Sequence, residues 1–356
     1  MPAPTQIDMR SDTLSLLTPE MRKAMAEAEV GDDLYGGDPT TGRLEQHCAE
    51  LFGKEAALFT TSGTLSNQLA LRVHTAPGDE IITDTKYHIN FYESAASAGL
   101  AGVALNTVDS PDGVLTPELL RFALQRKKRA PQCSAPALVC LENTVNFHSG
   151  RVVSLDSLRA LRHDTLTAGL ATHIDGARLA NASVASGSSL AEFADTADTV
   201  SMCFAKGLAA PFGSILVGPA DLIEKAAAHR MSYGGGMHQS GVVAAAALYA
   251  LQHNVERMTE DHHHARLLCK LLSDHPAFGV EPDTVQTNIL VVDVSSTGLS
   301  AAAFVRAAAD KGVLLAEWTA TSFRAVTRLG LDETAIRTVA ERLLALADQV
   351  KGSAAA

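Results

Sequence analysis

The chain has 356 residues, a formal net charge of −11, 46% hydrophobic residues and 19% charged ones. That length and apolar content bury a large core with room for a second, smaller domain, and they exclude a disordered chain. The acidic balance, with no clustered basic face, argues against a nucleic-acid partner, and no apolar run reaches the roughly 18 residues of a membrane span.

The opening MPAPTQIDMRSD lacks the apolar stretch of a secretory signal. The five cysteines form no C-x-x-C pair, and their odd number reads as reduced thiols of a cytoplasmic protein. After an N-terminal arm, Thr18-Pro19-Glu20 predicts a helix start, with Thr18 as cap and Pro19 in the first turn. Met21, Ala24, Met25 and Ala28 then recur at helical spacing. Residues 30–42 are a Gly- and Asp-rich loop, and a helix is expected over 43–52. From there short apolar runs predict strands at 56–60, 80–83, 137–141, 171–174, 199–204 and 214–217, with a helix through Asn67 and Leu71 after the first. Alternation of strand and helix implies a largely parallel sheet covered on both faces. The run GVVAAAALYALQHN reads as a buried helix that leads into a longer one. A C-terminal region then reads strand 288–294, helix 301–311, strand 313–317, strand 323–327 and helix 333–350. The division expected is a large α/β domain over 1–252, the arm included, and a smaller α+β domain over 253–356.

Ligands of such sheets bind beyond the carboxyl ends of the strands, and the polar residues fall there. Lys206 follows the apolar run TVSMCF and precedes GLAAPFGS, whose glycines permit close backbone approach. A deprotonated lysine amine can form a Schiff base with an aldehyde cofactor. Asp175 ends the run ATHI, where a carboxylate can meet the pyridinium nitrogen of pyridoxal 5′-phosphate and keep the ring an electron sink. An Asp-Gly pair alone is an ordinary turn; its weight comes from Lys206 one helix-strand unit later. Ser62, Gly63 and Thr64 open a helix after ALFTT, and the free N–H groups of a helix start bind phosphate.

Taken together, MRSDTLSLLTPEMRKAM, VGDDLYGGDPTTGRLE, TSGTLSNQ, HIDGARLANASVASG, FAKGLAAPFGSILVG and GGGMHQSGVVAAA resemble low-specificity L-threonine aldolases, of the β-eliminating-lyase group of pyridoxal-phosphate fold type I. The resemblance covers nearly the whole chain. It implies that Lys206 holds the cofactor, that Asp175 pairs with its ring nitrogen and that Arg178 reaches its phenolic oxygen. It further implies that Gly63, Thr64 and Asn67 cradle its phosphate, with Ser62 opening that turn, and that His88 stacks on its ring. Ser11 and Arg324, with Arg178 nearby, would hold the carboxylate of a small amino-acid substrate, a task suited to the guanidinium fork. The reaction implied is cleavage of β-hydroxy-α-amino acids of the threonine type to glycine and an aldehyde, by a homo-oligomer built as a dimer of dimers.

The chain departs from the family pattern near the substrate. ENTVN places Val145 where the family has histidine, GGGMHQ places His238 where it has arginine, and Met231 and Ala205 replace a lysine and a serine. Valine moves no proton, which leaves His148 and His238 as substitute bases beside a roomier apolar position. The lost histidine also keeps open racemisation or β-elimination on the same scaffold. A non-catalytic protein of this fold is the third reading, disfavoured by the presence of both Lys206 and Asp175.

Overall fold

The computed structural model describes residues 6–33, 35, 37–127, 130 and 132–354. The first five residues of the arm, and Leu34 and Gly36 of the Gly- and Asp-rich loop, lie outside the described residues. By their contacts the residues fall into two units.

The larger unit, Leu17–Phe147 and Val152–Val255, is built on seven short strands. They are Ala56–Thr60, Glu80–Asp84, Ala104–Val108, Pro136–Glu142, Ala171–Asp175, Thr199–Cys203 and Ser214–Gly218, ordered first, seventh, sixth, fifth, fourth, second, third across the sheet. The second to sixth strands pair in parallel. The seventh runs antiparallel to both its neighbours, which makes the sheet mixed at one edge. Every residue of Glu80–Asp84, Thr199–Cys203 and Ser214–Gly218 is buried, as a sheet covered on both faces requires. One face packs Leu58, Leu69, Leu216 and Ile223 together, and another cluster joins Leu71, Ile81, Leu138 and Cys140.

Four strands extend the expected runs by one residue at one or both ends, Ala56–Thr60 matches its run, Thr199–Cys203 stops one residue short, and Ala104–Val108 joins them although its alternating burial hides it in the sequence. The helix expected over 43–52 begins earlier, as Pro39–Phe52, because the Asp38 side chain accepts the Thr40 and Thr41 N–H groups and Pro39 fits the first turn. Gly53, at φ 61°, closes it.

The smaller unit takes the chain up to Leu16, His148–Arg151 and everything from Glu256 onward. The arm therefore belongs here and not with the large domain. Ile7 and Asp8 pair in parallel with Val313 and Leu314, and Val326 N–H bonds the Met9 carbonyl. The strand expected over 313–317 splits at Leu315: Ala316–Glu317 turns away to pair antiparallel with Ser322–Val326, whose other edge meets Ile289–Asp293. Phe304 stacks on Phe323 at 5.6 Å inside a core completed by Leu268, Val292, Ile336 and Leu343. Among the described residues no helix is long and apolar enough to cross a membrane.

Candidate active site

The sheet lines up two adjacent parallel strand ends. Asp175 closes its strand in register with Ser201 of the next, and that strand ends at Cys203, three residues before Lys206. Cys203 is the floor where the parts meet. Its sulfur lies within the electrostatic reach of Lys206, Asp175 and Arg178. A β-carbon on Gly63 would come within 2.7 Å of that sulfur, so only glycine lets the helix Gly63–His74 start there.

That helix is capped by the Ser62 hydroxyl, which accepts the Leu65 N–H at 3.1 Å. The first helical turn closes with Ser66 N–H on the Ser62 carbonyl. The N–H groups of Gly63 and Thr64 precede that bond and are left to a ligand or water. The helix start faces the floor that carries Lys206.

Asp175 is buried and accepts Asn67 Nδ2 at 2.7 Å and the Ala177 N–H at 3.0 Å. His88, opening the short helix His88–Phe91, donates its backbone N–H to Glu142 and pairs its Nδ1 with Glu93 Oε1 at 2.9 Å. The coordinating atoms of His88, Glu93 and Asp175 all lie within 4.8 Å of one another. Burial alone would lower the His88 pKa; the Glu93 hydrogen bond and the charges of Asp175 and Glu93 outweigh it, and the pKa is raised. The charge of Lys206 opposes that rise. Glu142 is fully enclosed, and burial with the nearby Asp175 charge pushes its pKa up despite bonds from the His88 and Asn146 N–H groups. Arg178 is buried and reaches Asn146 Oδ1 at 3.3 Å.

Lys206, Asp175, Arg178, His88, Ser62, Gly63 and Thr64 thus share the larger unit and, through Cys203 and His88, one neighbourhood. Asn67 requires a correction. It sits one turn into the helix, buried, with its amide committed to Asp175 and Glu93, so it braces the carboxylates and is not a phosphate ligand. Val145 is fully buried and offers no surface to a substrate. His238 lies on an exposed stretch with Nδ1 on Asp32 Oδ2 at 2.9 Å. His148 belongs to the smaller unit. Ser11 and Arg324 also lie there: Ser11 caps the turn Asp12–Leu14, and Arg324 donates to the Arg10 carbonyl at 3.0 Å while its guanidinium packs 4.4 Å from the Trp318 ring. These two candidates are therefore neighbours. Sequence reasoning passed over Glu93 and Glu142. Each is an acid in an unremarkable local context, and only burial against His88 singles it out.

The family model for beta-eliminating lyases matches residues 8–295. The chain belongs to the beta-eliminating lyase family. Within it, the chain is 39% identical to low-specificity L-threonine aldolase 1 of Arabidopsis thaliana over 323 residues, 90% of each protein. It is 40% identical to the low specificity L-threonine aldolase of Escherichia coli K12 over 296 residues, 83% of this chain and 86% of that one. The threonine aldolase of Leishmania major shares the fold at a TM-score of 0.82 and 20% identity, over 96% of this chain and 99% of that one. The architecture is thus the α/β fold of pyridoxal-phosphate fold type I enzymes.

Proposed function

We propose that this family member is a pyridoxal-phosphate-dependent aldolase that cleaves β-hydroxy-α-amino acids of the L-threonine and L-allo-threonine type to glycine and an aldehyde. What supports the reading is that Asp175 and the strand leading to Lys206 end side by side in register, with the His88 ring within 4.8 Å of the Asp175 carboxylate. The relatives' names point to the same chemistry. The donor set suits the cofactor: an amine for its aldehyde, a buried carboxylate for its ring nitrogen, an arginine for its phenolic oxygen, and free N–H groups at a helix start for its phosphate.

When bound, the cofactor supplies an aldehyde for covalent attachment and a sink for the electrons released at Cα. The chain's residues do the rest. Lys206 brings the amine. Asp175, held in place by Asn67 and the Ala177 N–H, would face the ring nitrogen of the bound cofactor. The helix dipole and the N–H groups of Gly63 and Thr64 take the phosphate. Ser11 and Arg324 keep their assignment to the substrate carboxylate, with Arg324 steadied by Trp318 and the Arg10 carbonyl. His88, its Nδ1 anchored on Glu93, presents Nε2 as the atom that takes the β-hydroxyl proton, the geometry of a base oriented by a third group. A cytoplasmic dimer of dimers completes the proposal. All five cysteines are free, as a reducing compartment requires.

The test is incubation of the protein with pyridoxal phosphate and a panel of β-hydroxy amino acids, scoring glycine and aldehyde. Release of glycine from L-threonine or L-allo-threonine supports the reading. Ammonia with a keto acid, or a D-amino acid, in place of glycine would transfer the chain to β-elimination or racemisation.

A further inference from the structure

Two carboxylates, Asp175 and Glu93, are buried side by side, with oxygens within 4.8 Å of each other. Placed together in a low-dielectric interior, two such acids repel unless donors bridge them. A single amide answers both. Asn67 Nδ2 donates to Asp175 Oδ2 at 2.7 Å and to Glu93 Oε1 at 2.9 Å, using its two hydrogens on two anions.

The far side of that amide is equally committed. Asn67 Oδ1 accepts from Ser201 Oγ at 2.9 Å and meets His173 Nε2 at 3.2 Å. Because an amide oxygen only accepts, His173 must carry its hydrogen on Nε2. Its Nδ1 then faces both the Thr199 hydroxyl at 3.0 Å and the Thr199 carbonyl at 3.2 Å, of which only the hydroxyl can supply a hydrogen. The same hydroxyl in turn accepts from His74 Nε2 at 2.9 Å. In this tautomer the bonds from His74 through the Thr199 hydroxyl, His173 and Asn67 run toward the two acids. Burial lowers the pKa of both histidines to about 4, so they are neutral links in the chain. Aligned hydrogen bonds of this kind strengthen one another.

We infer that Asn67, oriented by His173 and Ser201, is a positioning residue that bridges Asp175 and Glu93 and holds both carboxylates in place, so that the ring-nitrogen acid and the anchor of His88 act as a linked pair. The inference rests on the role proposed for Asp175. The charges facing His88 are Glu93, Asp175 and Glu142 on one sign and Lys206 on the other. Loss of the amide lets the two carboxylates move apart and weakens the Glu93 contact with His88 Nδ1.

The test is a histidine NMR titration of the full-length protein, with the His88 signal assigned by its absence in His88→Gln. In Asn67→Leu, which keeps the branched shape without donors, the His88 midpoint falls by about one unit or more. His173→Phe, which leaves the amide and the Ser201 donor but removes the second orienting donor, moves the midpoint the same way by less, and it decides the matter if Asn67→Leu does not fold. An unmoved midpoint in a folded variant overturns the inference. Asp175→Asn is measured separately for pyridoxal phosphate affinity. Unchanged affinity there sinks the ring-nitrogen reading, whereas the link from Asn67 to His88 is judged by its own titration.

Discussion

Gly63→Ala is the perturbation whose cost can be worked most directly from the structure. The added methyl would sit 2.7 Å from Cys203 Sγ, about 1 Å inside ordinary contact. Cys203 is 8% exposed, so its sulfur has little room to retreat. Overpacking of this kind costs roughly 1–3 kcal/mol, against which alanine returns less than about 1 kcal/mol of helix propensity at a first-turn position. Strain at the helix start moves the Gly63 and Thr64 N–H groups, so pyridoxal phosphate affinity falls about tenfold, the equivalent of ~1.4 kcal/mol. Cys203→Ala removes the sulfur that the methyl meets. The double variant Gly63→Ala/Cys203→Ala therefore recovers an affinity within about threefold of wild type, a coupling of the size found between touching residues. The assay is cofactor titration of all four proteins by absorbance and fluorescence. If the double variant binds as weakly as Gly63→Ala alone, the methyl obstructs the phosphate itself and the packing account is wrong.

Glu93→Gln should fold, because the buried Gln68 Oε1 has no partner and the Gln68 amide can turn to meet the new NH₂ group; the His88 midpoint, followed by NMR, should fall by about 1–3 units once the adjoining charge is gone. Asp198 accepts both Arg162 nitrogens, at 2.8 and 2.6 Å, and the Thr172 N–H at 2.7 Å. Burial would raise its pKa, but these partners prevail and lower it. Asp198→Asn should therefore destabilise the protein by about 1–3 kcal/mol in urea unfolding at neutral pH. Since the folded pKa is the depressed one, that gap is complete above the unfolded carboxylate range near 4 and closes as pH falls through the folded value. Arg324→Ala should raise KM for the amino acid at least about tenfold with a smaller change in kcat, because a carboxylate clamp acts on bound substrate and transition state alike.

The sheet was legible because its strands are short apolar runs, and a buried parallel strand has little else to be. Lys206 and Asp175 stood out because each is a polar residue placed directly after such a run. Thr18 and Ser62 behaved as caps because a hydroxyl at that position accepts an N–H of the first turn, from Met21 and Leu65 respectively. What the sequence concealed depends on contacts between distant segments. Glu142 becomes a site residue only by its bond to His88, 54 residues away, and Glu93 only by its bond to Asn67, 26 residues away. Asn67 read as part of a phosphate loop by its closeness to Ser62, yet one helical turn carries its side chain beneath the sheet ends, where a distant aspartate claims it. The arm was assigned to the wrong unit because a two-residue strand, Ile7–Asp8, has no periodicity to announce its pairing with Val313–Leu314.

The claim on which the rest depends is that the Lys206 amine carries the cofactor. Protein loaded with pyridoxal phosphate, reduced with borohydride and digested should yield one phosphopyridoxyl-modified peptide, with the modification on Lys206, and the Lys206→Ala protein should yield none. Labelling of a different lysine, or an undiminished label in Lys206→Ala, would contradict the account.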